Sequence, residues 1–374
     1  MKRRLTITLL ILLMVWLLPA HAEAREISTS AAACVIMDAR SGRLLLSHNE
    51  NKALPMASTT KVMTALLAIE RGCLTDPVTC SRNAFGVPGT SIYLAQGETL
   101  SLEQMLYGLM LQSGNDAAVA IAEHIGGSVE EFCRMMTRRA AELGCSDTVF
   151  LTPHGLPCNG HQTTALDLAL IAREAMQNDT FRHIVSTRRT TIPWEGRSYD
   201  RVLNNKNRLL STYEGATGVK TGYTRAAGRC LVFGAKRDEM EVIGVVLNCS
   251  NWFDEAARLM DTAFAENESV TMLSKGETIR EIPVENGNQP CVDVYLASDL
   301  SAIVPNGSLP SVEIDLPGAV QAPVLAGQRL GEAKMIWQGE LLCASPLIAG
   351  STIPRDDLPA RLEHVLRHWL VLGR

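Results

Sequence analysis

The hydrophobic positions change their spacing several times along the chain. Apolar runs at 32–37 and 43–47, joined by a turn that ends near Gly42, predict a pair of strands. Apolar residues then recur every three or four positions, which is the period of an amphipathic helix. Helices are predicted at 57–70, 101–111, 116–125, 129–143 and 166–176. Strand patterns return at 190–193, 219–224, 229–235 and 240–247, before a last helical pattern at 253–264.

This order of elements predicts an α+β fold. Two early strands and three later ones would form an antiparallel sheet, and the helices between them would flank it. We therefore expect a domain at 25–266. From 277 to 351 the strand-like runs are short and broken by Gly, Pro and Asn, with no helical period. This stretch predicts a separate small β-domain of the sandwich type.

The two ends of the chain differ from the rest. Basic residues at 2–4, an apolar run at 5–18, and alanines at 20, 22 and 24, which supply the −3 and −1 positions of two possible cleavage points, are typical of a secretory signal peptide. The run is short for an uncleaved anchor, which needs about 20 apolar residues. We therefore expect cleavage after Ala22 or Ala24, removal of 1–24, and a protein at the outer face of the cytoplasmic membrane or in the wall. Residues 356–374 form a basic amphipathic pattern that includes Trp369. Such a helix lies on a membrane surface or docks on the β-domain, and both alternatives stay open.

Composition narrows the classes of partner. The chain has 374 residues, which is enough for two domains, and its formal net charge of −5 gives no indication of a nucleic-acid partner. Its ten cysteines include no Cys-x-x-Cys pair, and no histidine cluster completes a metal site. Cys73 and Cys80 are close enough in sequence to bridge across a turn. We expect no metal and no cofactor.

Three short motifs carry the chemistry. Ser58 and Lys61 are three residues apart in a predicted helix, so a neutral lysine could take the proton of the serine and make it a nucleophile. Taken alone, this pair is better explained as a helix cap beside a solvated lysine. Ser113-Gly114-Asn115 follows in a loop between two helices, and Lys220-Thr221-Gly222 lies on a strand. In this order the three motifs form the signature of penicillin-recognising serine acyl-transferases.

With these motifs the chain resembles the low-molecular-mass penicillin-binding proteins that are serine-type D-alanyl-D-alanine carboxypeptidases. The similarity extends to the stretches 152–156, 161–169, 205–210 and 215–224. The resemblance implies the transpeptidase fold shared by serine β-lactamases and penicillin-binding proteins, with a C-terminal β-domain and a terminal amphipathic helix. It also implies a substrate and an inhibitor: a peptidoglycan stem peptide that ends in D-Ala-D-Ala, and β-lactam antibiotics as covalent inhibitors.

The resemblance assigns roles to the motif residues. Ser58 would attack the carbonyl between the two terminal D-alanines, and Lys61 would accept its proton. Ser113 would relay that proton to the leaving nitrogen, and Asn115 would hydrogen-bond the backbone of the substrate. Burial and the nearby Lys220 would both lower the pKa of Lys61.

Further residues would bind the substrate or stabilise the intermediate. Lys220 and Thr221 suit the terminal carboxylate, and Gly222 would let the substrate approach the sheet edge. The backbone N–H groups of Ser58 and Tyr223 would form the oxyanion hole.

Three other polar residues have less specific signals. Lys206 is either a second cation for the carboxylate or a surface lysine. His154 and His161 have no acidic or cysteine partners at ligand spacing, so we expect them to be structural rather than metal ligands or general bases.

Two alternatives belong to other classes of protein. Class A β-lactamases share the fold and the motifs but deacylate through a glutamate. The stretch 152–164 contains neither Glu nor Asp, so we expect a stable penicilloyl adduct. A non-catalytic wall-binding scaffold would have no need of Ser58, Lys61, Ser113 and Lys220 together. The sequence leaves open whether the enzyme also cleaves cross-bridges as an endopeptidase.

Overall fold

The computed structural model describes residues 25–356. The predicted signal peptide and nearly all of the predicted terminal helix lie outside these residues. The chain divides into two compact units, with the boundary between Asn267 and Glu268.

The first unit is built on a six-stranded sheet. Its elements, in chain order, are β1 (Arg25–Glu26), β2 (Ala33–Asp38), β3 (Leu44–His48), a 3₁₀ turn (Ala57–Thr60), α1 (Lys61–Arg71), β4 (Pro77–Thr79), β5 (Thr99–Ser101), α2 (Leu102–Leu111), α3 (Asn115–Gly126), α4 (Val129–Glu142), α5 (Ala165–Met176), α6 (Asp179–Ser186), β6 (Arg189–Ile192), β7 (Arg201–Asn204), α7 (Leu209–Thr212), β8 (Ala216–Thr224), β9 (Gly228–Arg237), β10 (Met240–Leu247) and α8 (Trp252–Glu266). The sheet order is β1-β3-β2-β10-β9-β8, while β4 pairs with β5 and β6 with β7. Strand β8, which carries the Lys220 motif, ends this order.

The predicted α+β architecture is confirmed. Every pairing in the main sheet is antiparallel except that of the two-residue β1, which lies parallel to β3. The predicted helices also form, because their apolar positions fall on one face. In α4, for example, Phe132, Met136 and Ala140 are buried at intervals of four while Arg134 and Arg138 face solvent.

Local side-chain bonds set several helix starts. The Ser101 hydroxyl accepts from the N–H of Gln104, and the Gln104 side chain accepts from the N–H of Ser101, which makes a full capping box before α2. At α5 the Thr164 hydroxyl accepts from the N–H of Asp167, whereas the Asp167 carboxylate binds Thr148 and the N–H of Asp147.

Three features differ from the sequence-based expectations. The predicted helix from 57 begins as a 3₁₀ turn, so Ser58 precedes the α-helix and Lys61 is its first residue. Helices α6 and α7 and strands β1, β4, β5 and β7 had no predicted counterpart. Cys73 and Cys80 are not bridged: Cys73 is exposed, Cys80 is buried, and all ten cysteines are free thiols.

The second unit has its own sheet and core. Its strands are β11 (Asn267–Leu273), β12 (Thr278–Glu285), β13 (Cys291–Leu296), β14 (Leu300–Pro305), β15 (Ser311–Asp315), β16 (Val320–Gln321), β17 (Arg329–Trp337) and β18 (Glu340–Ala349). Six of them form a sheet in the order β15-β17-β18-β13-β12-β16, and β11 pairs with β14. Apolar residues of both sheets share one core, as the predicted β-domain requires. In the part of the chain that the structure describes, no helix has the length and apolar character needed to cross a membrane.

Candidate active site

Ser58 lies in a tightly enclosed 3₁₀ turn. The preceding residue, Ala57, has a φ of +49°, in the left-handed region that non-glycine residues rarely adopt. Two glycines allow the surrounding chain to come this close. A Cβ on Gly155 would lie 1.8 Å from the carbonyl oxygen of Ala57, and one on Gly222 would lie 2.9 Å from the backbone nitrogen of Ser58. The turn is therefore clamped between the 152–161 loop and strand β8.

Lys61 is fully buried, and its amine has three partners. Nζ lies 3.0 Å from Ser58 Oγ, 2.7 Å from Asn115 Oδ1 and 2.8 Å from the carbonyl oxygen of His154. The amide and carbonyl oxygens can only accept hydrogen bonds. A neutral amine has two N–H groups and one lone pair, so it donates to those two oxygens and points its lone pair at the Ser58 hydroxyl. This arrangement is that of a general base facing its nucleophile.

The surroundings favour the neutral form of Lys61. Burial lowers the pKa of Lys61 well below its ordinary value, and the positive charges of Lys220 and Lys206 lower it further, while Asp116 acts in the opposite direction. Burial, and then Lys206, lowers the pKa of Lys220 to about 7. Lys206 remains in contact with solvent, and the partial loss of water around it lowers its own pKa.

The second motif lies at the start of α3. Ser113 has a φ of +64°, and this turn is held by Thr90, whose hydroxyl donates to the Ser113 carbonyl oxygen at 2.5 Å. The N–H of Asn115 donates to the Thr90 carbonyl oxygen at 2.7 Å. The buried Ser113 hydroxyl has no hydrogen-bond partner among residues 25–356. A buried hydroxyl without a partner is costly, and here it lines an open cleft that a ligand could fill.

A cleft of about 440 Å³ connects the motifs. Six of the predicted site residues line it: Ser58, Ser113, Asn115, Thr221, Gly222 and Tyr223. Its wall also includes Lys206 and several residues that the motifs did not indicate: Gly89, Thr90, Gly155, Leu156, Thr224 and Trp252. Gly155, Leu156 and Thr224 fall in the stretches 152–156 and 215–224 that resemble the family, whereas Gly89, Thr90 and Trp252 lie outside every stretch that the sequence singled out.

The structure gives three predicted residues neighbours other than those expected. Lys220 is buried and its Nζ donates to the Thr221 carbonyl oxygen at 2.9 Å, so Lys206 is the lysine that lines the cleft. Asn115 binds Lys61 through Oδ1 and donates from Nδ2 to the Pro88 carbonyl oxygen at 2.7 Å, which leaves one N–H for a substrate. Gly222 lines the cleft, and a Cβ there would meet the backbone of the Ser58 turn, so its missing side chain also lets β8 approach this turn.

Both histidines of the 152–161 loop make local hydrogen bonds. His154 Nδ1 accepts from the N–H of Leu156, and His161 Nδ1 accepts from the N–H of Leu151. Burial is the main cause that lowers the pKa of each histidine to about 4, so both are neutral at neutral pH. Residues 25–356 contain no group of three or more His, Cys, Asp and Glu side chains that could hold a metal ion.

Known proteins share both units of this chain. Residues 20–251 match the family described as D-alanyl-D-alanine carboxypeptidase, and residues 268–355 match the C-terminal domain of penicillin-binding protein 5. The D-alanyl-D-alanine carboxypeptidase DacF of Bacillus subtilis is 32% identical over 98% of this chain and 99% of its own length.

Solved structures agree with these relatives. Penicillin-binding protein 5 of Haemophilus influenzae is 28% identical, with a TM-score of 0.71 over 88% of this chain and 99% of its own. A mutant of the Streptomyces K15 DD-transpeptidase is 32% identical, with a TM-score of 0.61 over 64% of this chain and 99% of its own. Because the family match covers more than half of the chain and the similarity to DacF extends along nearly its whole length, the chain belongs to the D-alanyl-D-alanine carboxypeptidase family.

Proposed function

We propose that this protein removes the terminal D-alanine from peptidoglycan stem peptides through an acyl-enzyme on Ser58. The observation that carries the assignment of residues is the hydrogen-bonding pattern of Lys61. Burial disfavours the charged form of Lys61, and in the neutral form the two obligatory acceptors take both N–H groups and leave the lone pair for Ser58.

Acylation begins when Ser58 Oγ bonds to the carbonyl carbon and its proton passes to Lys61 Nζ. The N–H groups of Ser58 and Tyr223 would stabilise the oxyanion, and each such donor lowers the barrier by about 3–4 kcal/mol. The C–N bond then breaks, and the leaving nitrogen takes a proton through the Ser113 hydroxyl. Water adds to the acyl carbon in the second half of the reaction, which releases the shortened peptide and restores the proton to Ser58.

The terminal carboxylate would bind at the Thr221 end of the cleft. Lys206 and Thr221 both line the cleft, and the buried Lys220, whose Nζ lies at the Thr221 carbonyl oxygen, adds positive charge near Thr221. We therefore propose Lys206 as the cation nearest the carboxylate, with Lys220 acting through space.

The direct test is digestion of purified pentapeptide muropeptides followed by mass spectrometry. We expect the loss of one alanine from the wild type and no loss from Ser58→Ala. A protein that releases no alanine, or a Ser58→Ala variant that still releases it, would contradict the proposal. Loss of cross-linked dimers would add an endopeptidase activity.

The response to penicillin separates this function from its two rivals. No Asp or Glu lines the cleft within the described chain, and none occurs in 152–164, so no carboxylate is placed to activate a deacylating water. We expect the penicilloyl adduct on Ser58 to persist for minutes or longer, as followed by intact-protein mass. Rapid turnover of a chromogenic β-lactam would indicate a β-lactamase, and failure to form any adduct would indicate a scaffold.

The location and organisation of the protein are part of the same proposal. A substrate in the cell wall requires export, which the basic and apolar N-terminal pattern would direct. We propose 25–266 as the catalytic domain, 277–351 as an accessory β-domain, and 356–374 as a helix that binds the membrane surface through its apolar stripe.

A further inference from the structure

Three buried residues form a chain of hydrogen bonds that ends on the peptide before the nucleophile. His161 Nε2 lies 2.8 Å from Thr60 Oγ1, and Thr60 Oγ1 lies 2.8 Å from the carbonyl oxygen of Ala57. Thr60 is fully buried, and Ala57 and His161 are nearly so. Solvent therefore cannot replace these bonds.

The direction in which these hydrogen bonds donate follows from the bond that His161 Nδ1 accepts. His161 Nδ1 accepts from the N–H of Leu151 at 3.0 Å, so in the neutral ring the proton lies on Nε2. Nε2–H donates to the Thr60 hydroxyl, and the single proton of that hydroxyl is left to donate to the Ala57 carbonyl oxygen. Each donor and each acceptor in this series of hydrogen bonds is therefore used once.

The Ala57 carbonyl belongs to the same peptide unit as the Ser58 N–H. A peptide unit is planar, so fixing the direction of its C=O also fixes the opposite direction of its N–H. Ala57 has a φ of +49°, a conformation that costs about 1–3 kcal/mol and persists only where the surroundings hold it. The Thr60 hydroxyl and the close backbone of Gly155 both contact this carbonyl, in addition to the backbone hydrogen bonding of the 3₁₀ turn Ala57–Thr60.

We propose that His161 is a positioning residue for the reaction, which acts through Thr60 to aim the Ser58 N–H at the oxyanion. His161 itself touches neither substrate nor reacting atoms. The inference rests on the proposed role of the Ser58 N–H and extends it to a residue that the three sequence motifs do not contain.

Paired variants at His161 and Thr60 test the two hydrogen bonds of this series separately. His161→Phe keeps an aromatic ring, which packs edge-on to Phe150, but removes both nitrogens, whereas His161→Gln can still donate and accept. Thr60→Val removes the hydroxyl and Thr60→Ser keeps it. Thr64→Val is the matched control, because Thr64 lies one turn further along and donates to the Pro153 carbonyl oxygen at 2.6 Å in the same way.

The measurement is stopped-flow acylation by penicillin, which gives a rate constant and a burst amplitude separately. We expect His161→Phe and Thr60→Val to acylate about 10- to 100-fold more slowly with a full amplitude, because a misdirected donor loses part of the 100- to 1,000-fold that one oxyanion donor typically supplies. The inhibition constant of a peptidyl boronic acid, whose tetrahedral adduct occupies the oxyanion hole, should rise in parallel. His161→Gln and Thr60→Ser should recover most of the rate, and the combined His161→Phe/Thr60→Val variant should be little slower than either alone.

The outcomes distinguish this inference from its alternatives. A reduced amplitude with a normal rate constant in His161→Phe and Thr60→Val would mean that these hydrogen bonds only stabilise the fold, and would overturn the inference. So would an unchanged rate constant and boronate affinity in His161→Phe. For the control Thr64→Val we expect a reduced amplitude at most. If the wild type forms no adduct at Ser58, the proposed function itself fails, and that result is visible before any variant is made.

Discussion

At the scale of single residues, the proposed mechanism depends on three lysines whose pKa values are all lowered. Lys61 must be neutral to accept a proton, while a charged Lys220 or Lys206 is needed to attract a carboxylate. The charge of Lys206 lowers the pKa of both other lysines. Lys206 therefore affects both sides of the pH profile, although it takes no part in proton transfer.

Replacing Lys206 by Gln should move the pH profile of kcat/KM to higher pH. Without this positive charge the pKa of Lys61 rises, so the base becomes protonated at a higher pH and the acid limb moves up. The pKa of Lys220, about 7 in the wild type, also rises, so its charge survives to higher pH and the alkaline limb moves up as well. Lys206→Arg keeps the charge and should keep the wild-type limbs. A profile of alanine release whose acid limb stays in place would contradict this electrostatic role.

The sequence predicts which residues would react but not the contacts that each makes. Ser58, Lys61 and Ser113 could be proposed because three motifs in a fixed order are rarely accidental. The buried position of Lys220 and the Lys61 bond of Asn115 could not be predicted, since both depend on which backbone carbonyls and amides come close in the folded chain. From the sequence Lys206 was better explained as a surface lysine, whereas in the structure it lines the cleft.

At the scale of elements, periodic patterns predicted the helices correctly, whereas the close backbone contacts could not be predicted from the sequence. Helix α4 has a clear apolar face, and its predicted and observed starts agree at Val129. The 3₁₀ turn at Ser58 depends instead on Gly155 and Gly222, which are distant in sequence and allow the loop and β8 to approach it. Such an approach leaves no periodic signal in the residues of the turn.

The β6–β7 hairpin is joined to the segment before β5 by a buried ion pair. Arg201 Nη2 lies 2.8 Å from Glu98 Oε1, and the two side chains are 4% and 1% exposed. Removing one partner of such a pair leaves a buried charge without compensation, which costs about 3–5 kcal/mol. We expect Arg201→Met to lower the free energy of unfolding of the first unit by that amount, measured by urea denaturation.

Arg197→Met is the matched control for this pair. Both arginines lie over the ring of Trp194, at 4.9 Å for Arg201 and 5.6 Å for Arg197, but Arg197 is exposed. Its removal should cost no more than about 1 kcal/mol. Equal losses in the two variants would show that the stacking on Trp194, and not the pair with Glu98, is what stabilises the hairpin.

At the scale of the whole molecule, every residue proposed to take part in the chemistry lies in the first unit. The cleft residues and the large apolar core around α1 and β10 all come from the first unit, while the second unit has a separate core between 282 and 353. Binding to the membrane, by contrast, is proposed for the tail. The two properties should therefore be separable by shortening the chain from its C-terminus.

Two truncations of the mature protein test this separation. Deleting 358–374 should release the protein from membranes while leaving alanine release from a soluble peptide unchanged, because every residue that lines the cleft is retained.

A chain that ends at Asn267 should also stay acylable by penicillin, since it keeps the whole first core and the bond from the Asn267 side chain to the Ala263 carbonyl oxygen. Sedimentation with vesicles measures membrane binding, and fluorescent penicillin labelling measures acylation independently. A protein without 358–374 that still sediments would contradict the membrane proposal. If the chain that ends at Asn267 is no longer labelled by penicillin, the second unit is needed to hold the catalytic unit in its active form.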